Sequence, residues 1–273
     1  MTLYLYGFVE LDAPRPPSDL RGVGGGGVGL LDLGAVRGAV SAVPASEFDP
    51  GVVAERVHDL DWVAEQGALH ERVVTWFVDH GGILPVRLLT LYSGAEALEG
   101  AVSGRASAIA ARLEELRGLR EWDLKVSYDA RVLREHLGEV SESVAELERE
   151  LGLAAPGRRY LLERKRNQLV NEEVSRSARR LAEDVLEAVL PLSAGARRLP
   201  LPREAGELPV TLHAAFLVPD AGEAGARLRV EEQRERLRGI GIDVSFTGPW
   251  APYRFLGEDE MEETASEGEG VGT

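Results

Sequence analysis

Apolar residues alternate or cluster from the first residues of the chain, and their period divides it into strands and helices. Leu3–Val9, read Leu-Tyr-Leu-Tyr-Gly-Phe-Val, predicts a buried strand. A loop rich in Pro, Gly and Asp is expected over 12–29. Ala35–Val43 predicts a second strand closed by Pro44, and Asp49-Pro50 predicts a helix start with a side-chain cap and proline at the first helical position. Between 61 and 80, Val63, Val73, Val74, Phe77 and Val78 mark one helix face, ended by Gly81-Gly82. A short strand is expected over 83–89. Ser93 and Glu96 have the spacing of a capping box, which predicts one helix through Leu98, Val102, Ile109, Leu113 and Leu116 up to Gly118. Glu121–Tyr128 places Trp122, Leu124, Val126 and Tyr128 on one face, as in a half-buried strand.

The second half changes character. Helices are expected over 131–151 and 158–190, separated by Gly152–Gly157 and forming an antiparallel hairpin. Strands are expected over 197–201 and 210–218, a helix over 227–237, and a last strand over 242–246 that Gly248-Pro249 ends. The fold class is therefore α+β in two domains. Residues 1–129 form a modified ferredoxin-like α/β sandwich. Residues 130–256 form a domain of long helical hairpin plus a small β-α-β sheet. Residues 257–273 hold seven acids and no Lys or Arg, and predict a disordered acidic tail.

Composition narrows the chemistry. A net charge of −15 over 273 residues argues against a nucleic-acid binder. Zero cysteines exclude disulfides and thiolate chemistry. No stretch has the length of a membrane span and no leader pattern opens the chain, so a soluble, cytoplasmic chain is expected.

The Gly22-Val-Gly-Gly-Gly-Gly27 run formally matches Gly-x-Gly-x-x-Gly, but it lies a dozen residues after the first strand and precedes another strand. A dinucleotide site needs a strand before it and a helix N-terminus after it. His70-Glu71 opens like a zinc-protease helix and has Val74 where the second histidine belongs; His58, His70, His80, His136 and His213 are scattered. No cofactor and no metal are expected.

Two segments stand out as protein-binding candidates. Arg158–Arg166 holds five basic residues in nine, including Arg159, Arg164 and Arg166 beside Tyr160. It reads as a solvated helix face, as a dock for the acidic tail, or as a contact with a partner's acid-rich surface. The second, Gly248-Pro-Trp-Ala-Pro-Tyr-Arg-Phe255, combines Pro249, Trp250, Pro252 and Tyr253 with no nucleophile or base. Its rings either close the core or anchor an interface.

In this order and spacing, the opening Leu3–Val9 strand, Ile83–Tyr92, Glu121–Val126, Arg159-Tyr-Leu161 and Gly-Pro-Trp-Ala-Pro-Tyr resemble the gas vesicle protein F/L family, from about Leu3 to Phe255. One departure is that the family's usual Pro-x-Arg-Phe-Gly-Thr stands here as Pro85-Val-Arg-Leu-Leu-Thr90, and Ala251 separates Trp250 from Pro252. The resemblance implies a non-enzymatic assembly factor or minor vesicle component. Its implied partners are the hydrophobic gas vesicle shell protein and other accessory proteins, and its implied place is the gas vesicle, extending to the inner, gas-facing surface. The rival reading is a small-molecule enzyme using the Gly22–Gly29 loop.

Overall fold

The computed structural model describes residues 2–202 and 208–256; the tail from residue 257 lies outside them. Contacts within the chain form two units, residues 2–121 with 249–256, and residues 122–248. The second is thus inserted in the first. The expected division at residue 129 moves to 121, and the last residues of the expected C-terminal domain, 249–256, belong to the N-terminal unit.

In the first unit the chain runs through β1 (Thr2–Val9), β2 (Val28–Asp32), β3 (Arg37–Val43), α1 (Ala45–Phe48), α2 (Pro50–Arg56), α3 (Leu60–Asp79), β4 (Leu84–Pro85), β5 (Leu91–Tyr92), α4 (Ala95–Val102) and α5 (Ala106–Glu115). The sheet order is β2-β3-β1-β4, with β5 also on β1, and each of these pairings is antiparallel. β1 is buried almost end to end, as its unbroken apolar run requires. Asp49 accepts from the Gly51 amide with Pro50 in the first turn, as the sequence predicts, and Asp59 caps α3 in the same way.

Three expectations fail here. The strand over 83–89 is reduced to the two residues of β4, and the two-residue β5 lies beyond it. The single helix over 93–118 breaks into α4 and α5 at Ser103-Gly104, and the Ser93–Glu96 capping box does not form, because Gly94 occupies the cap position without a side-chain bond. Finally, part of the expected 12–29 loop is β2.

The second unit holds most of β6 (Leu119–Tyr128), then α6 (Ala130–Glu135), α7 (Leu137–Val140), α8 (Glu142–Leu153), α9 (Pro156–Val189), β7 (Gly195–Arg198), β8 (Val210–Pro219), α10 (Glu223–Arg238) and most of β9 (Ile242–Trp250). Its strand order is β7-β8-β6-β9. β8, α10 and β9 therefore form a split unit with β6 between the two strands, and the whole succession is β-α-β-β-α-β. β6 was expected to complete the N-terminal sheet. Its place inside the second sheet also explains why it is buried on both faces: Glu121 and Asp123 are as covered as Trp122 and Leu124. Each acid is held, Asp123 by His213 at 2.9 Å and Glu121 by Arg254 at 2.7 Å.

The expected helix over 131–151 is three helices, with Asp129 capping α6 and Ser141 capping α8. Ala154-Ala155 alone separate α8 from α9, since Pro156 is tolerated in the first helical turn. Arg166 on α9 bonds Glu148 on α8 at 2.6 and 3.0 Å, joining the hairpin. β9 continues through Gly248-Pro249 to Trp250 instead of stopping at 246. It is an edge strand, where a proline is tolerated.

Candidate functional site

The candidate residues fall into two groups, one in each unit. Pro249, Trp250, Pro252 and Tyr253 lie in the C-terminal strap of the first unit. Arg159, Tyr160, Arg164 and Arg166 lie in the first turns of α9 in the second.

The strap is anchored. Ala251, Pro252, Phe255 and Leu256 are buried. The Glu121 carboxylate, 1% exposed, accepts from the Arg254 backbone N–H at 2.9 Å and from its guanidinium at 2.7 Å. Arg112 on α5 donates to the Phe255 carbonyl.

Tyr253 is half-buried and joins a buried polar relay. Its hydroxyl lies 3.1 Å from His70 Nε2, and the Nδ1 of the same ring lies 2.8 Å from the Tyr4 hydroxyl, which accepts from the Leu89 amide at 3.1 Å. Because Leu89 donates to Tyr4, Tyr4 is assigned as the donor to Nδ1, and the neutral ring carries its proton on Nε2 and donates to Tyr253. Tyr253 then donates to Glu71. The relay runs Leu89, Tyr4, His70, Tyr253, Glu71, with its central groups satisfied. Burial pushes His70 down to about 4 and raises the Tyr4 and Tyr253 hydroxyls and Glu71. For Tyr253 the neighbouring Glu71 charge adds to burial.

Two residues away on the same face of β1, Tyr6 heads a second relay. Val23 N–H donates to its hydroxyl at 2.8 Å, Tyr6 donates to Ser41 at 2.9 Å, and Ser41 donates to the Gly27 carbonyl at 3.1 Å. Sequence reasoning missed both relays. The alternation Tyr4-Leu5-Tyr6 was their only local signal, and the bonded pairs lie 14 to 183 positions apart along the chain.

The second relay also answers the glycine-loop question. Val23 is fully buried, Gly24 and Gly25 take positive φ, and the amides of Gly22, Val23 and Gly25 are bonded to Gly26, Tyr6 and Gly22. The turn feeds β2, not a helix, so these N–H groups hold their own loop and form no phosphate cradle. The histidines serve separate places: His80 stacks on Trp76, His136 pairs with Glu139 and His213 with Asp123.

The α9 group is open to solvent. Tyr160 and Leu161 are 68% and 65% exposed, and Leu153 at the end of α8 is 91% exposed. Arg158 pairs with Glu150, Arg159 reaches the Leu151 carbonyl, and Arg166 is taken by Glu148. Arg164 and Lys165 have no ion pair or hydrogen bond among the described residues. Trp250, in the other unit, is 40% exposed. No described helix is long and apolar enough to cross a membrane.

The family model described as gas vesicle synthesis protein GvpL/GvpF matches residues 2–257. Gas vesicle protein L of a Streptomyces species is 30% identical over 261 residues, covering 92% of each chain. Gas vesicle protein L1 of Halobacterium salinarum is 26% identical over 252 residues, covering 83% of this chain and 88% of its own. The crystal structure of GvpF from Anabaena matches with a TM-score of 0.66 at 18% identity, over 93% of this chain and 97% of that one. GvpF from Microcystis aeruginosa gives 0.62 at 18% identity, over 93% and 98%. At that identity the two crystal structures show a shared fold.

Proposed function

Because this chain belongs to the GvpL/GvpF family of gas vesicle synthesis proteins, we propose that it is a non-enzymatic assembly factor or minor vesicle component that binds the hydrophobic shell protein and other vesicle proteins. One observation carries the binding reading. Leu153, Tyr160 and Leu161 stand in water at the tip of the α8–α9 hairpin, ringed by Arg158, Arg159, Arg164 and Lys165. Apolar side chains grouped on a surface and flanked by charge have the make-up of a protein contact. Residues 156–171 carry five basic groups and one acid, net +4, so the rest of the chain carries −19 of the total −15. A basic tip on an acidic body orients an acid-bearing partner, while the body keeps the complex soluble.

The strap residues take a different part in this reading. Tyr253 and Pro252 hold the first unit together, and Trp250 remains available for contact. The site of action is the gas vesicle, including its inner, gas-facing surface.

Co-purification of the full chain with shell protein tests the proposal. Joint replacement Leu153→Ser, Tyr160→Ser and Leu161→Ser is expected to weaken capture at least tenfold, with the melting temperature nearly unchanged. Trp250→Ala is expected to have a smaller effect. Undiminished capture by the triple variant overturns the assignment of the tip.

A further inference from the structure

The α8–α9 tip carries exposed apolar and cationic groups, and the first unit carries a surface of complementary make-up. A groove of about 270 Å³ lies between the loop after β1, the turn before β3, and α5. Val36 and Leu113, both buried, form its floor, and the exposed Leu11 stands beside them. Its charged lining is mostly acidic: Glu10, Asp12 and Glu114 against Arg117, three acids and one base, net −2. Arg117 is already shared, at 2.8 Å from Glu10 and 2.6 Å from Glu114. Asp12 is exposed, and its carboxylate has no ion pair or hydrogen bond among the described residues.

We propose that the hairpin tip of one copy seats in this groove of a second copy, so that the chain self-associates and covers the surface with which it captures shell protein. This rests on the assembly reading above and names what holds the tip before shell protein arrives. Each side supplies what the other lacks. The groove has room for the ring of Tyr160 or the side chain of Leu161, since a cavity of about 150 Å³ already takes up benzene. Seating them on Val36, Leu113 and Leu11 removes apolar surface of both copies from water. Arg164 and Lys165, without ion pairs among the described residues, meet the free Asp12 carboxylate and its acidic neighbours.

The chain's own tail matches the tip in charge alone. Residues 257–273 bring seven acids but only Met261 and Val271 as large apolar residues, too few to cover Leu153, Tyr160 and Leu161 together. The −15 carried by each copy opposes a second copy only weakly, because charges farther apart than about 8 Å are screened at physiological salt. A contact confined to a helix-hairpin tip falls short of the about 800 Å² per partner of a stable interface, so shell protein can displace it.

Sedimentation velocity of the full chain is the direct test. The average mass of the parent is expected to rise with concentration beyond that of one copy. Asp12→Lys with Ala35→Lys, at two exposed positions of the groove, is expected to weaken self-association at least tenfold without lowering the melting temperature. At a concentration where the parent is associated, the same variant is expected to capture at least threefold more shell protein. Tyr160→Ser with Leu161→Ser is expected to stay single as well. Because tip and groove are different surfaces, an equal mixture of the two variants is expected to form pairs and nothing larger, each supplying the surface that the other lacks. A parent that stays single at every concentration, or a mixture that forms no pairs, overturns the proposal and leaves the assembly reading standing. Self-association lost in the groove variant with capture unchanged overturns the covering of the tip. If truncation after Leu256, and not the groove substitutions, raises capture, the tail is the occupant and the proposal is overturned. A parent that self-associates through these surfaces yet never captures shell protein overturns the assembly reading instead.

Discussion

At the scale of single residues, the first unit depends on polar groups buried in relays. His70 is held neutral, with its folded value of about 4 below the ordinary 6.5. The unfolded chain therefore binds more protons between those values, and the stability His70 contributes is present above pH 6.5 and lost as pH falls toward 4. The shift corresponds to about 3 kcal/mol. Glu71, raised by burial, acts in the opposite sense: its contribution is lost as pH rises through its folded value. Comparing stability against pH for the parent and His70→Gln isolates the histidine, because Glu71 is common to both, and a flatter slope between pH 6.5 and 4 is expected in the variant. Tyr4→Phe leaves the Leu89 amide and His70 Nδ1 without a partner, and is expected to cost about 1–3 kcal/mol in denaturant unfolding. Leu89 is the one described non-glycine residue with positive φ, at 66°. It stands where the family's usual pattern has glycine. Leu89→Gly is therefore expected to be more stable than Leu89→Ala by about 1 kcal/mol, the reverse of the ordinary order.

At the scale of elements, what the sequence showed and what it hid have separable causes. β1, α3, α9 and β8 are long and periodic, and lie close to their expected places because burial of one continuous apolar pattern decides them. Elements decided by distant partners were hidden. β2 is Val-Gly-Leu-Leu-Asp at the end of a glycine run, and it is a strand because β3 is there to pair with it. β6 reads as half-buried because its acids are polar in sequence; Arg254 and His213, 133 and 90 positions away, are what allow Glu121 and Asp123 inside. The candidate residues divide along the same line. Arg159, Tyr160 and Arg164 stayed at the surface because the inward face of α9 is carried by Leu162, Val170 and Val174. Tyr253 turned inward because His70 and Glu71 wait for its hydroxyl. The α6 start shows how tightly a turn can be specified: Gly241 has φ 82°, and an added Cβ would lie 2.8 Å from Val132 and 3.0 Å from the Leu133 amide. Gly241→Ala is expected to destabilise the second unit by about 2–3 kcal/mol, measured by thermal unfolding.

At the scale of the whole molecule, the inserted arrangement makes the chain's end part of its beginning. Among the described residues, the buried core of the second unit is drawn from residues 122–244 and includes none of the strap. The core of the first unit includes Ala251, with Tyr253 packed against it. The first unit is therefore incomplete until residues 249–256 are in place, whereas the second has its core by residue 244. Two truncations separate these roles. Ending the chain after Leu256 removes none of the described contacts and is expected to leave both units folded. Ending it after Gly248 takes the Arg254 guanidinium and amide from the buried Glu121, the Tyr253 hydroxyl from His70, and the apolar cover of Ala251, Phe255 and Leu256. Loss of the ion-pair partner alone costs about 3 kcal/mol when the remaining charge is buried. That is a large share of the 5–15 kcal/mol that holds a typical domain. Hydrogen exchange read segment by segment is expected to show protection lost across β1, β3 and α3 and kept across α9 and β8. Equal loss in both units, or in neither, contradicts a strap that serves the first unit.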